Sequence, residues 1–456
     1  MPHLFRSYLI EQVHRAFGNR VIPKYAELLI SDDLTDEDRA RALEELHDLL
    51  SSQERKFQAV DREVMFACTD LTESKAVTVR INAARVISSL VLYENYVDEL
   101  STDAMLRAAT TLLSDGEEDA VLAGCSIFHN LTISNEGSLS LASRMETLTQ
   151  ITSMINSQPL KLVSESLLDA ILGILANVTR IYEGAKACAE CAITVPVLTV
   201  LKKCTLYDAK TVHAATLIIL NAATHDHGKR MAIRQDGVEI CLRTLTKVLQ
   251  AESTFQKCEP AMHNELTRCL VSAVMALSTV EEAKPRIVEF GIEPLVTCLH
   301  HKDTKIKRNA MIAINSACES PQGIAVFTDK LLAERDLVIE VFGAKCIPAL
   351  LRHLQTIDED STVQVLDILV ELCRTEDEAK EVVQCLHLLD TLAELLLNET
   401  KDIRNHVVST FQLLREHGET YVRRIGKKLH KHGVSSGDFE LIMGIEISTF
   451  ESTYGC

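Results

Sequence analysis

A two-part pattern returns along this chain at intervals of roughly 40 to 55 residues and restricts the folds that the chain can adopt. Each copy ends in an apolar stretch with small residues at helical spacing. The centres of these stretches are Glu45, Ser89, Asn130, Asn177, Asn221, Ala276, Ser316 and Glu371. Most intervals fall inside the roughly 40 to 47 residues expected of arrays with two or three helices per repeat. Such an array stacks its repeats along one axis and needs no separate globular domains.

The stretch from Gly291 to Gly323 shows the anatomy of one copy. Pro294 suits the first turn of a helix, where its missing N–H is not needed. The run HHKDTK then breaks the apolar pattern, and Asp303 or Thr304 can cap a second helix that contains Ile306. Prolines at matching positions in other copies are Pro23, Pro196 and Pro348. The sequence therefore predicts a repeating unit of a short helix followed by a longer one.

The domain organisation follows from this repetition. Two intervals are longer than the rest, and we interpret residues 250–266 and 325–341 as insertions between helices. The sequence predicts an all-α superhelical solenoid of about nine repeats over residues 20–418. We expect an N-terminal extension at residues 1–19, and a basic C-terminal helix and tail at residues 419–456.

The composition agrees with closely packed helices and limits the classes of partner. Hydrophobic residues make up 46% of the chain, aromatic residues 4%, and tryptophan is absent, so the core must be mainly aliphatic. The formal net charge of -18 argues against a nucleic-acid partner, because such binding depends on neutralising phosphates. The 14 cysteines are scattered among small apolar residues, which favours buried thiols in a reducing compartment. Since no apolar run approaches the length of a membrane span, we expect a soluble, intracellular protein without a membrane partner.

Glycines before the short helices complete the repeated pattern. Gly237, Gly291 and Gly343 can take the left-handed or bent conformation needed between two short helices. The full pattern reads G-x-x-P-L, then an apolar residue and leucines, and later A-L-x-N-L-A. Over residues 20–418 this repetition resembles the armadillo repeat.

The resemblance implies a binding surface. In armadillo proteins the third helices of successive repeats line a concave groove, and an asparagine in the A-L-x-N slot holds the backbone of an extended partner peptide. The matching residues here are Asn130, Asn177 and Asn221. A carboxamide both donates and accepts hydrogen bonds, which suits this role. The alternative is that each amide bonds to its own helix ends and to neighbouring loops.

One class of armadillo protein does not fit. Nuclear-import receptors of the importin alpha type place a tryptophan one helical turn before each such asparagine and bind cations between the stacked indoles. The corresponding residues here are Ser126, Gly173 and Leu217. We therefore do not expect recognition of basic import signals in that manner.

The sequence contains no phosphate-binding loop, no nucleophile elbow and no zinc-protease helix. We expect no enzymatic activity, no catalytic residue, no cofactor and no small-molecule substrate. Cys188 and Cys191 form a single C-A-E-C, which would need a second pair of ligands to make a zinc site. Its alanine-rich surroundings favour helical packing, so no metal site is predicted.

The segment from Tyr421 to Gly433 has a charge opposite to that of the whole chain. Its cations are Arg423, Arg424, Lys427, Lys428 and Lys431. A solvated final helix would explain the run. The alternative is contact with an acidic partner, for which a tubulin surface is one candidate.

The block from Ala16 to Val60 carries a closer resemblance. Its first part matches the pattern A-F-G-x-R-x-x-P-K-x-x-E-L at Ala16, Phe17, Gly18, Arg20, Pro23, Lys24, Glu27 and Leu28. Its second part matches R-x-x-A-L-x-x-L-x-D-L-L at Arg39, Ala42, Leu43, Leu46, Asp48, Leu49 and Leu50. This block is similar to the start of the radial-spoke armadillo proteins of cilia and flagella.

The second resemblance implies a non-enzymatic scaffold of the axonemal radial spoke, in the cytoskeleton of a cilium or flagellum. Its partners would be other radial-spoke or axonemal proteins, one of which would lie as an extended segment along the groove. A soluble cytosolic adaptor or chaperone-like protein, which captures extended client peptides, is the alternative that the repeats allow. An axonemal component should resist detergent extraction, whereas an adaptor should leave in the soluble fraction.

Overall fold

The computed structural model of the protein describes residues 20–454 except 94–101, 157–163, 252, 356–358, 386 and 399. Over these residues the chain forms α-helices and short 3-10 segments, with no β-strand. The predicted N-terminal extension, residues 1–19, lies outside the described residues. The chain divides into two compact units, residues 1–277 (unit 1) and 278–456 (unit 2).

Each unit is a succession of short and long helices. The helices of unit 1 are α1 (Val21–Leu29), α2 (Asp36–Leu49), α3 (Gln53–Asp61), α4 (Val64–Leu71), α5 (Val77–Leu90), α6 (Asp103–Leu112), α7 (Glu118–Leu131), α8 (Asn135–Ala142), α9 (Met145–Asn156), α10 (Glu165–Thr179), α11 (Tyr182–Glu190), α12 (Thr194–Lys202), α13 (Ala209–Ala222), α14 (Asp226–Arg234), α15 (Gly237–Leu249) and α16 (Pro260–Ser278). Those of unit 2 are α17 (Lys284–Phe290), α18 (Ile292–Leu299), α19 (Thr304–Ala317), α20 (Pro321–Leu331), α21 (Arg335–Phe342), α22 (Ile347–Leu354), α23 (Glu359–Leu372), α24 (Glu376–Gln384), α25 (Leu388–Leu395), α26 (Lys401–Glu416), α27 (Glu419–Lys431), α28 (Ser436–Met443) and α29 (Ile447–Tyr454).

Corresponding helices of neighbouring repeats pack against one another. In unit 1 the long helices pair in chain order, α2 with α5, α5 with α7, α7 with α10 and α10 with α13. The short helices α8, α11 and α14 form a second row of the same kind. In unit 2 the long helix α23 packs against α26. This arrangement confirms the predicted all-α, armadillo-like solenoid, in which each repeat covers the apolar face of the next.

Local sequence signals place the helices as predicted. Pro23, Pro196, Pro294 and Pro348 each lie in the first turn of a short helix, where proline costs no hydrogen bond. Asp303 caps α19, because its Oδ1 accepts a hydrogen bond of 2.8 Å from the backbone N–H of Lys305.

The predicted role of the three glycines is correct for one of them. Gly343 has a φ of +51°, in the left-handed region. At Gly237 and Gly291 a side chain would not fit. A Cβ on Gly237 would lie 2.6 Å from the carbonyl oxygen of Ala232, and a Cβ on Gly291 would lie 2.5 Å from that of Ile287. Close packing of short helices, rather than backbone conformation, requires these two glycines.

The two predicted insertions are partly helical. In the first, a 3-10 segment covers Ser253–Lys257, and α16 then begins at Pro260, so the residues up to Leu266 belong to a long helix of the array. Proline at the first helical position favours this early start. In the second, α21 is an additional helix, and its Val338 and Phe342 are buried.

The C-terminal region, predicted as a basic helix and tail, is folded throughout its described residues. After the basic helix α27, the helices α28 and α29 pack against α27 and against each other. Phe439 and Phe450 are fully buried, with ring centroids 5.6 Å apart in an edge-to-face arrangement. Phe439, Ile442 and Met443 supply the buried face of α28, whereas Leu441 is exposed.

Within the described residues, no single helix combines the length and apolar character needed to cross a membrane, although the bent pair α11 and α12 passes that test by length and composition.

Candidate functional site

Four successive long helices of unit 1 line a groove of about 790 Å³. Its lining includes Glu44 and Asp48 of α2, Arg85 of α5, Asn130 of α7 and Asp169 of α10. Because each of these four helices contributes side chains to the lining, the groove runs across the repeats and is not confined to one of them. This shape suits an extended segment with backbone groups exposed along its length.

Asn130, one of the three predicted peptide-binding asparagines, lies in this groove. Its Nδ2 donates hydrogen bonds to the carbonyl oxygen of Ser88, at 3.0 Å, and to Ser88 Oγ, at 2.7 Å. Ser88 Oγ in turn donates to the carbonyl oxygen of Ser126, at 3.2 Å. The amide donors of Asn130 therefore join α7 to α5, whereas its Oδ1 remains available as an acceptor.

Asn177 and Asn221 repeat this inter-repeat contact on the next two long helices. Asn177 Nδ2 donates to Thr132 Oγ1, and Asn221 Nδ2 donates to Thr179 Oγ1, each at 3.3 Å. In both cases the acceptor lies in the preceding repeat. Both asparagines lie outside the lining of the groove. The geometry thus gives all three amides a role between repeats, and their contact with a partner stays a prediction.

The groove is more acidic than basic. Its described lining contains the carboxylates of Glu44, Asp48 and Asp169 and the guanidinium of Arg85. Asp169 also accepts a hydrogen bond from Thr211 Oγ1 of the following long helix. Glu44 and Asp48 are exposed. The groove therefore offers a net negative charge to a bound segment.

His129 reaches the groove beside Gly173. A Cβ on Gly173 would lie 2.7 Å from His129 Nδ1, so glycine makes room for the imidazole of the preceding repeat. The Nδ1 atom is buried without a hydrogen-bond partner in the described part of the chain. Burial lowers the pKa of His129. Gly173, which corresponds to a tryptophan position of the import receptors, thus packs against His129.

A second candidate surface is a basic pocket of about 330 Å³ in unit 2. Of the five predicted cations, four line this pocket: Arg424, Lys427, Lys428 and Lys431. Arg423, which is exposed, lies outside its lining. The structure therefore brings most of the predicted cations together on one side of α27.

Asp390 of α25 holds part of this positive charge in place. Its carboxylate accepts hydrogen bonds from Lys428 Nζ, from Lys431 Nζ at 3.4 Å and from His432 Nε2 at 2.9 Å. The hydrogen bond from Lys428, followed by that from His432, holds the pKa of Asp390 well below its usual range. Arg424 and Lys427 have no ion pair within the described residues. These two cations are free to meet an anion.

Among the described residues, Cys188 and Cys191 belong to no group of three or more metal-ligating side chains. Cys188 is fully buried, and burial raises the pKa of its thiol. Cys191 is half-buried, with Sγ 3.4 Å from Thr149 Oγ1.

The sequence contains a signal for these contacts between repeats. Asn130 and Asn177 each begin an N-x-T triplet, and the threonines of these triplets, Thr132 and Thr179, accept from the asparagine of the following repeat. Recurrence of the triplet at the repeat interval could have predicted this pairing. The acidic lining of the groove gives no local motif, because Glu44 and Asp169 come together only when the helices stack.

Solved structures that are similar to this chain include engineered and designed proteins. A crystal structure of an engineered protein from the Northeast Structural Genomics Consortium has a TM-score of 0.58 and 16% identity, covering 95% of this chain and 99% of that one. A designed armadillo repeat protein has a TM-score of 0.46 and 15% identity, covering 55% of this chain and 98% of that one. Another, described in complex with the peptide (KR)4, has a TM-score of 0.45 and 17% identity, covering 55% and 98%. Neither protein-family models nor curated proteins gave a match. Fold and groove together define the chain as an armadillo-like solenoid.

Proposed function

We propose that this protein is a non-enzymatic scaffold of the axonemal radial spoke, which binds other spoke or axonemal proteins through the sides of its helical repeats. The observation that supports the binding of a protein partner is the groove across α2, α5, α7 and α10. It presents hydrogen-bonding groups and carboxylates from repeat to repeat, which fits one extended segment of a partner.

The groove also defines the kind of segment that it would hold. Glu44 and Asp48 are exposed at one end of the groove, and Asp169 lies at the other. Lysine or arginine side chains of a partner would neutralise these carboxylates, while Asn130 Oδ1 would accept from a backbone N–H. The proposed partner segment is therefore extended and basic.

The assignment to the radial spoke rests on the N-terminal block. Of its first part, Ala16, Phe17 and Gly18 lie outside the described residues. Pro23 lies in the first turn of α1, and Lys24 forms an ion pair of 2.8 Å with Glu27 on the same helix. These residues lie on the first helix that the structure describes.

The basic pocket supports a second contact within the same assembly. Arg424 and Lys427 face outward beside Lys428 and Lys431. An acidic surface of another axonemal protein, such as tubulin, is the proposed partner, because several neighbouring cations favour a surface of opposite charge.

Fractionation of cilia tests this proposal against the alternative, a soluble cytosolic adaptor or chaperone-like protein. We expect the protein to remain with demembranated axonemes after detergent treatment and to be released with other spoke proteins by high salt. Recovery in the detergent-soluble fraction, or spoke complexes complete without the protein, would support the adaptor instead.

A charge reversal tests whether the groove is the binding surface. We expect Glu44→Lys with Asp48→Lys to reduce copurification of spoke proteins, since a basic segment would then meet positive charge. The matched control is Glu54→Lys with Glu73→Lys, which makes the same charge change at exposed positions outside the groove lining. Equal copurification of both variants would place the interface elsewhere.

A further inference from the structure

A histidine, a glutamate and a cysteine converge in unit 1 at a place that the groove does not include. His213 lies on α13, and Glu265 and Cys269 lie one turn apart on α16. Their spacing of four residues puts the last two on the same face of α16. The three side chains therefore meet between two consecutive long helices.

The distances between the three ligand atoms are short and similar. His213 Nε2 is 3.5 Å from Cys269 Sγ, and Glu265 Oε1 is 3.6 Å from the same sulfur. Glu265 Oε1 is 3.9 Å from His213 Nε2. Tetrahedral zinc, with bonds of about 2.3 Å to sulfur and about 2.0 to 2.1 Å to nitrogen or oxygen, separates its ligand atoms by roughly 3.3 to 3.6 Å. The triangle formed by these atoms is close to one face of such a tetrahedron.

We propose that His213, Glu265 and Cys269 bind a zinc ion with three protein ligands and an open fourth position. Imidazole, carboxylate and thiolate are the three ligand types that zinc accepts in proteins. The thiolate disfavours magnesium and calcium, which prefer oxygen ligands.

Burial of the three residues agrees with a site that is enclosed on one side and open on the other. Cys269 is 5% exposed, whereas the side chains of His213 and Glu265 are 19% and 34% exposed. The sulfur thus lies at the bottom, and the carboxylate lies at the solvent edge. A zinc ion could enter past Glu265, and its fourth ligand would be water.

Arg268 orients the carboxylate. Its guanidinium pairs with Oε2 of Glu265, so that Oε1 points toward His213 and Cys269. A hydrogen-bonded partner of this kind is typical of metal-ligating carboxylates.

The charges of the ligands balance the charge of the ion. Zinc binds the neutral imidazole of His213. Burial, followed by the charge of Glu265, raises the pKa of Cys269 to about 12, so the free thiol keeps its proton. When zinc binds, the Cys269 S–H bond breaks, the proton leaves to solvent and the sulfur lone pair forms the Zn–S bond. One thiolate and one carboxylate then offset the two charges of zinc.

Metal binding by the purified full-length chain tests the proposal. After removal of metals with a chelator, we expect added Co²⁺ to produce a thiolate-to-cobalt charge-transfer band and Zn²⁺ to abolish it. Zinc should also raise the thermal unfolding midpoint, because it binds the folded chain. Excess Mg²⁺ should change neither signal.

Single substitutions identify the ligands. We expect Cys269→Ala to remove the charge-transfer band. His213→Gln and Glu265→Gln should each weaken zinc binding by more than the roughly 10- to 100-fold that loss of an outer-shell partner costs. These two variants keep the side-chain volume and the thiol, so they remain informative if Cys269→Ala does not fold. Cys241→Ala is the matched control, because Cys241 is a fully buried thiol on α15 outside the three-residue group.

Three results would overturn the zinc site. The first is the absence of a cobalt band in the unsubstituted chain. The second is a band that persists in Cys269→Ala, which would assign it to other cysteines. The third is zinc affinity in His213→Gln and Glu265→Gln equal to that of Cys241→Ala.

Discussion

Asn130 Nδ2 donates a hydrogen bond of 3.0 Å to the carbonyl oxygen of Ser88, which lies one repeat earlier in the chain. The same nitrogen donates to Ser88 Oγ at 2.7 Å. Ser88 and Asn130 lie on two long helices that line the groove. The Asn130 amide that would hold a partner therefore also connects two repeats. Its replacement should lower the stability of unit 1 as well as the affinity for a partner, and each effect needs its own measurement.

Asn130→Ala should destabilise unit 1 by roughly 1 to 3 kcal/mol, because two hydrogen bonds between repeats are lost. The measurement is the midpoint of urea unfolding followed by circular dichroism. Asn264→Ala is the control, since Asn264 is exposed on α16. If the two variants had equal midpoints, the contact with Ser88 would contribute nothing to stability.

The repeat interval and the helix starts could be predicted from the sequence because they depend on local chemistry. Pro294 and Asp303 specify the start of their own helices whatever the rest of the chain does. The role of Asn130 could not be decided in this way, because its partner, Ser88, lies 42 residues away. The similarity between consecutive repeats predicts that equivalent positions lie close together. It does not predict which of their atoms form hydrogen bonds.

The proximity of His213 and Cys269 is a second contact that the sequence alone could not predict. The two residues are 56 positions apart, which exceeds the ordinary repeat interval because an insertion separates their helices. The sequence pattern places Glu265 in that insertion. Only the early start of α16 at Pro260 brings Glu265 onto the helix that faces His213.

Gly184→Ala should destabilise unit 1 by about 1 to 3 kcal/mol through overpacking. A Cβ at this position would lie 2.0 Å from the carbonyl oxygen of Val178, at the end of the preceding long helix. Because a backbone oxygen cannot rotate away, the first turn of α11 must move. The measurement is the thermal unfolding midpoint.

Gly116→Ala is the control for this substitution. A Cβ there would meet nothing within 4 Å, so the unfolding midpoint should stay the same or rise slightly. A midpoint for Gly184→Ala equal to that of Gly116→Ala would show that α11 tolerates the added carbon.

Asp390→Asn should lower the stability of unit 2 at neutral pH by about 1 kcal/mol or less, because the carboxylate is partly solvated. The groups that face Asp390 are Lys428, Lys431 and His432, with Glu394 3.9 Å from His432 Nδ1. Since the folded pKa of Asp390 lies below the ordinary 3.8, its contribution is complete above about pH 4 and is lost as the pH falls through the folded pKa. Urea unfolding at pH 7 and at about pH 3 should therefore show a difference between Asp390→Asn and the unsubstituted chain that shrinks in acid. A constant difference would mean that the carboxylate charge is not what stabilises this contact.

Arg424→Glu should weaken the binding of an acidic peptide, whereas Arg423→Glu should not. The two residues are neighbours on α27, both are exposed, and only Arg424 lines the basic pocket. The two substitutions change the net charge equally, so any difference between them reports the direction in which the side chain points. With a glutamate-rich peptide as the probe, we expect Arg424→Glu to reduce affinity by about fivefold, equivalent to about 1 kcal/mol, and to reduce the salt dependence of binding. Isothermal titration at two salt concentrations makes the comparison, and equal affinities for the two variants would show that the positive charge of α27 acts as a whole and not through the pocket.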